Sequence, residues 1–193
     1  MNAKAAKTTE KALKYECTRA VLRLLNQCTK KEVKLVGARW IEFTHPTRRD
    51  PRRPKWRQQF FLPNRAPQKV TPWFPCSEVM REFYKYFDGL REQAPPVAGD
   101  FSPAASAERV GSVFEAEYYP EFAKISELPI IFTATTGDAV VRTQKETFVW
   151  CRVESHEMPK CADSFEDLVS AWVEHHASGS TDYFDSWSHA KEP

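Results

Sequence analysis

Glycine is scarce, six in 193 residues. The chain has no Gly-x-Gly-x-x-Gly turn and no P-loop, the two glycine-dependent devices for cradling phosphates. It also lacks the Gly-x-Ser-x-Gly elbow that presents a serine nucleophile. No run approaches the ~18 apolar residues of a membrane-spanning helix. The first ten residues, Met-Asn-Ala-Lys-Ala-Ala-Lys-Thr-Thr-Glu, contain no apolar signal segment. A cytoplasmic location without membrane association is expected. Paired cysteine spacing is missing as well. Cys17, Cys28, Cys76, Cys151 and Cys161 are odd in number and are expected to be reduced and semi-buried.

Metal and nucleophile chemistry fare no better. Cys151-x4-His156-x4-Cys161 has the spacing of the last three ligands of a zinc knuckle. The first ligand would fall at Phe148, which cannot coordinate, and structural zinc takes four. Cys161 with His156 is the one near pair for nucleophilic catalysis, and no oxyanion-hole motif accompanies it. Neither metal nor cofactor is expected. The chain reads as one that binds rather than catalyses.

What is present is a core-forming composition, 41% hydrophobic and 13% aromatic. One α+β domain over residues 10–178 is expected, with flexible tails at 1–9 and 179–193. Net charge is only +2, yet it is split. Residues 1–69 hold 18 Lys and Arg against 5 Asp and Glu, a net of +13. Residues 70–193 hold 10 against 21, a net of −11. Such a division either pairs internally or sets up a surface field for partners.

Leu13, Cys17, Ala20, Val21, Leu24, Leu25 and Cys28 recur at spacings of three and four, which predicts a first helix, with Thr8 or Thr9 as its cap. Residues 33–44 read as a strand with a bulge at Gly37, and 58–62 as its hairpin partner. A proline-studded connector over 63–75 leads to a helix over 77–89, opened by Ser77 and closed by Gly89. Residues 93–112 read as a long loop and 113–117 as a strand. Over 129–153, three β-rich runs separated by turn residues predict an antiparallel meander. A helix over 163–173, capped by Asp163 or Ser164 with Asp167 in a capping box, packs against it. His175 and His176 follow, where imidazolium complements a helix C-terminus. The expected sheet has about five to six antiparallel strands packed against several helices.

Two surfaces are candidate sites. The hairpin tip carries Arg48, Arg49, Arg52, Arg53, Lys55 and Arg57, with Trp56 available to stack on a base. Pro51 and Pro54 are expected to prevent regular structure there. This is the nucleic-acid alternative; no RNP-like, KH-like or finger motif surrounds it. The second surface is acidic and aromatic: Glu115, Glu117, Tyr118, Glu121, Glu166, Glu174, Asp182, Asp185 and Trp187.

The aromatic helix ending Phe87-Asp88-Gly89, the segment from Tyr119-Pro120 into a strand, and the Gly137-Asp138 turn occur in a telling order. With the closing Ala162-Asp163-Ser164-Phe165-Glu166-Asp167-Leu168 helix, they resemble the SUKH superfamily over roughly residues 75–177. That superfamily includes bacterial immunity proteins against polymorphic toxins and fungal regulators of cell-wall synthesis. The resemblance implies a SUKH-like α+β fold and stoichiometric binding of a cognate toxin encoded nearby, through the acidic and aromatic surface. A regulatory scaffold role like that of the fungal members is the other implication.

Overall fold

The computed structural model describes residues 10–35, 38–50, 53–64, 76–93, 99–104 and 106–178. Helix α1 (Glu16–Asn26) precedes strands β1 (Thr29–Leu35), β2 (Ala38–Asp50) and β3 (Arg53–Pro63). Helix α2 (Glu78–Phe87) leads to β4 (Arg91–Gln93) and β5 (Gly99–Phe101). The short α3 (Val110–Val113) and a 3-10 turn (Pro120–Ile125) precede β6 (Ile130–Ala134). The chain then runs through β7 (Ala139–Arg142), β8 (Phe148–Cys151), β9 (Lys160–Ala162) and α4 (Phe165–Ser178). The nine strands form one antiparallel sheet whose spatial order is the sequence order.

Strand alternation divides the core in two, because successive side chains leave a strand on opposite faces. On the first face Phe60, Phe101, Phe132, Val140 and Trp150 meet the apolar sides of α1, α2 and α4. On the second face Ala139, Val141 and Cys151 meet Val110, Phe114 and Phe122 from α3 and the 3-10 turn. Trp172 of α4 centres the larger core, with ring centroids 5.7 Å from Phe60 and 5.5 Å from Phe101. Phe165 ties α4 to α2 through Phe83, 5.2 Å away.

Local chemistry sets the helix limits. Ser77 Oγ accepts from the Met80 amide at 3.3 Å, and Gly89 closes the turn after α2 at φ +73°. Ser164 Oγ accepts from the Asp167 amide at 3.1 Å and donates to Asp167 Oδ2 at 2.7 Å. At α1 the expected caps, Thr8 and Thr9, lie outside the described residues. The helix begins at Tyr15 without a side-chain cap of its own. Glu82 of α2 instead accepts from the Lys14 and Tyr15 amides, at 2.8 and 3.0 Å.

The sheet is larger than the five to six strands expected. The predicted strand over 33–44 is two strands, since Leu35 pairs with Ala38 and the chain reverses between them. Gly37, read as a bulge, lies outside the described residues. β4, β5 and β9 have three residues each, too few for alternation to register. The predicted strand at 113–117 is the end of α3 and a turn, with Phe114 amide bonded to Val110 carbonyl. The loop expected over 93–112 contains β5, and Phe101, Ala104, Ala107 and Val110 within it are buried. Strands β2 and β3 run out to Asp50 and Arg53, so Pro54 sits within a strand rather than breaking it. Proline's fixed φ is compatible with extended backbone, and this hairpin loses its regular register between Thr44 and Arg49.

Candidate functional site

The second face is covered only in part by α3 and the 3-10 turn. Beside that cover lies a cleft of about 780 Å³. Its floor follows from register. Glu42 pairs with Phe61, Phe61 with Arg91, Arg91 with Asp100, and Asp100 with Thr133. Directly paired residues share a face, so these five form one row across β2 to β6. Trp40, two residues before Glu42, joins the same face, and Leu35 and Ala38 complete the wall at the β1–β2 end.

The row is apolar at one end and charged in the middle. The Arg91 guanidinium lies 5.0 Å from the Trp40 ring centroid, within cation–π range. Arg91 Nε also lies 3.4 Å from Asp100 Oδ2. Burial at the cleft floor pushes the Asp100 carboxyl above its usual range, with Arg91 and the Glu92 amide opposing the rise. Glu42 is fixed by Thr44 Oγ1 at 2.7 Å and Gln59 Nε2 at 3.0 Å. Gly99 on β5 is required by packing. A Cβ there would stand 1.9 Å from Cζ of Phe132, which crosses the first face beneath it.

Directly behind Arg91, the next residue of β4 serves the opposite face. Glu92 Oε2 lies 3.2 Å from His176 Nε2, with both side chains almost wholly buried. Gln58 Nε2 approaches His176 Nδ1 at 2.6 Å and Glu92 Oε1 at 3.3 Å. The Arg48 guanidinium donates to the His176 carbonyl at the end of α4. Arg48 thus satisfies one carbonyl at the helix terminus, and both His175 and His176 are buried. His45 is buried nearby, its Nδ1 accepting from the Thr47 and Arg48 amides at 3.3 and 3.0 Å. Burial lowers its basicity, and Arg48 adds to that.

The acidic residues singled out from sequence fall on two sides. Glu115, Glu117 and Tyr118, the last 63% exposed, are exposed between α3 and the 3-10 turn. Glu121 belongs to the same layer, with its Oε1 2.6 Å from His156 Nδ1. Glu166 and Glu174 ride on α4, across the sheet from these. Asp182, Asp185 and Trp187 lie outside the described residues. In the basic hairpin, Arg48 is half-buried on α4 and Arg57 is exposed. Arg49, Arg53, Lys55 and Trp56 are placed by backbone alone, and Arg52 lies outside the described residues.

Sequence reading missed Trp40, Phe61, Arg91 and Asp100. They come from four strands, and only register joins them; no local spacing marks the set. The Cys151, His156 and Cys161 spacing yields no ligand cluster among the described residues. Burial pushes both thiols up to about 12. No protein-family model matches the chain, and neither a curated protein nor a solved structure is significantly similar to it.

Proposed function

We propose that this chain is a non-enzymatic protein-binding domain that neutralises a cognate toxin by stoichiometric docking, as the resemblance to SUKH immunity proteins implies. The cleft carries the reading. It offers Trp40 and Phe61 as anchors, with Arg91 and Asp100 as polar groups that fix orientation. Aromatic anchors in a partly desolvated pocket are what protein hot spots are made of.

Charge defines the occupant. At the β1–β2 side of the cleft, exposed Lys31 pairs with Glu42 on the cleft face, and Arg91 stands on the floor. Asp100 supplies the acid on the floor of the cleft. A partner segment that is acidic where it meets β1, with an apolar side chain against Trp40, matches this surface. Opposed fields of this kind raise the association rate and reject wrong partners. Glu166 and Glu174 fall outside this surface.

Two residues within the stretch that resembles the superfamily hold turns in place. Asp88 Oδ1 accepts from the Ala104 amide at 2.8 Å, anchoring the segment after α2. Asp138 Oδ1 accepts from the Val153 amide at 2.7 Å, holding the β6–β7 turn to the turn that follows β8. The experiment is co-expression with the product of the adjacent gene, scoring growth. Rescue by this chain supports the reading; unrelieved toxicity, or a neighbour with no toxicity, removes it.

A second reading, nucleic-acid binding by the β2–β3 hairpin, is favoured by one observation. Register sets Arg49 directly opposite Arg57, a like-charge pair that a bound polyanion would relieve. Arg49, Arg52, Arg53 and Arg57 changed to Ala should abolish retention on RNA or DNA. Arg48 is left intact because it holds the end of α4. Equal retention by that variant rules this reading out.

A further inference from the structure

We propose that the partner adds an acidic extended strand to the free edge of β1, so that the docked complex continues the sheet. This rests on the protein-docking reading above and specifies its geometry. Among the described residues β1 pairs with β2 alone. Half of its backbone groups therefore point outward, a template for another strand.

The two edges of the sheet differ. β9 has three residues, and shortness is one of the ordinary protections of an edge. β1 has seven, and all but Val33 are exposed. Its side chains are Thr29, Lys30, Lys31, Glu32, Val33, Lys34 and Leu35. The one acid, Glu32, faces Arg39 at 3.9 Å, which leaves three lysines setting the charge of the edge.

Those lysines choose among occupants. A second copy pairing edge to edge would bring lysines against lysines, and like charges across a strand pair are unfavourable. An acidic strand meets complementary charge at the same positions. Val33 pairs with Trp40 and Leu35 with Ala38, so both lie on the cleft face. Alternate side chains of an added strand would stand beside Val33 and Leu35, at the mouth of the cleft. The main chain would supply affinity, and the cleft would supply side-chain selectivity.

The test uses the full chain and two synthetic heptapeptides, one alternating Glu with Val and one alternating Lys with Val. Amide hydrogen exchange of residues 29–35 is followed with each. The Glu-Val peptide is expected to slow exchange of alternate β1 amides at least tenfold, and the Lys-Val peptide to leave them unchanged. Lys30→Glu/Lys31→Glu/Lys34→Glu should reverse the preference, with the unfolding midpoint reporting whether that variant is folded. No slowing, or equal slowing by both peptides, overturns strand addition. The toxin-docking reading is scored separately, with the adjacent gene product. If that protein binds while β1 amides exchange as in the free chain, strand addition fails and docking stands. If the Glu-Val peptide protects β1 while no such protein binds, the edge is an acidic-strand site and the toxin reading fails.

Discussion

Glu92 and His176 meet at 3.2 Å, from the third residue beyond α2's closing glycine and the last full turn of α4, with almost no solvent at either side chain. Arg91, one residue away, looks out through the other face into the cleft. β4 thus links the buried polar cluster to the candidate docking surface, and its three residues have to be placed by both.

Replacing Glu92 with Ala removes the buried carboxylate that Gln58 and His176 share under α4. Breaking a buried hydrogen-bonded pair by removing one member costs about 3 kcal/mol. A matching loss of stability in urea unfolding is expected. Glu92→Ala and His176→Ala together should cost less than the sum of the single changes, because they share one interaction. Additive losses would mean the pair is not coupled.

Gly99→Ala is expected to destabilise by about 1–3 kcal/mol through overpacking against Phe132. Phe132→Leu in the same chain should recover part of that loss, since it removes the ring atoms the new Cβ meets. Failure of the second change to compensate would place the strain elsewhere.

His45 makes stability depend on pH. Its Nδ1 accepts two backbone amides, so protonation there breaks both, and the folded chain holds its basicity below the ordinary value of 6.5. Below 6.5 the unfolded chain takes up a proton that the folded chain resists. Its contribution is therefore complete above that pH and is lost as pH falls through the lowered folded value. Unfolding midpoints of wild type and His45→Gln should differ in pH slope below about 6.5. Parallel slopes would exclude this role.

Thiol reactivity follows burial. Cys17 and Cys28 are pushed up to about 11 and Cys151 and Cys161 to about 12, and all four are buried. Thiolate is the reactive form. In the folded chain at pH 8, half-buried Cys76 should react with a disulfide reagent well before the others. Fast labelling of Cys151 would contradict the packing on the second face, and fast labelling of Cys161 the packing on the first.

Local patterns with full-length periodicity were legible in the sequence: the meander over β6, β7 and β8, the α2 limits at Ser77 and Gly89, and the Ser164 cap. Each rests on contacts within a few residues. The long β2–β3 hairpin was half legible, since Phe60 and Leu62 alternate while Pro51 and Pro54 argued for a break. The cleft was not legible at all. Trp40, Phe61, Arg91 and Asp100 share a face only because four strands align, and two of those strands are three residues long. His176 read as a terminal cation, because nothing local indicates that Glu92 waits beneath it.

The most direct measurement is the affinity of the adjacent gene product for wild type and for Trp40→Ala, by calorimetric titration. A centrally buried aromatic anchor is worth about 2 kcal/mol or more, roughly a thirtyfold change in Kd. The expected result is a 1:1 complex weakened at least that much in a variant with an unchanged unfolding midpoint. An equally tight complex with Trp40→Ala would contradict docking through the cleft.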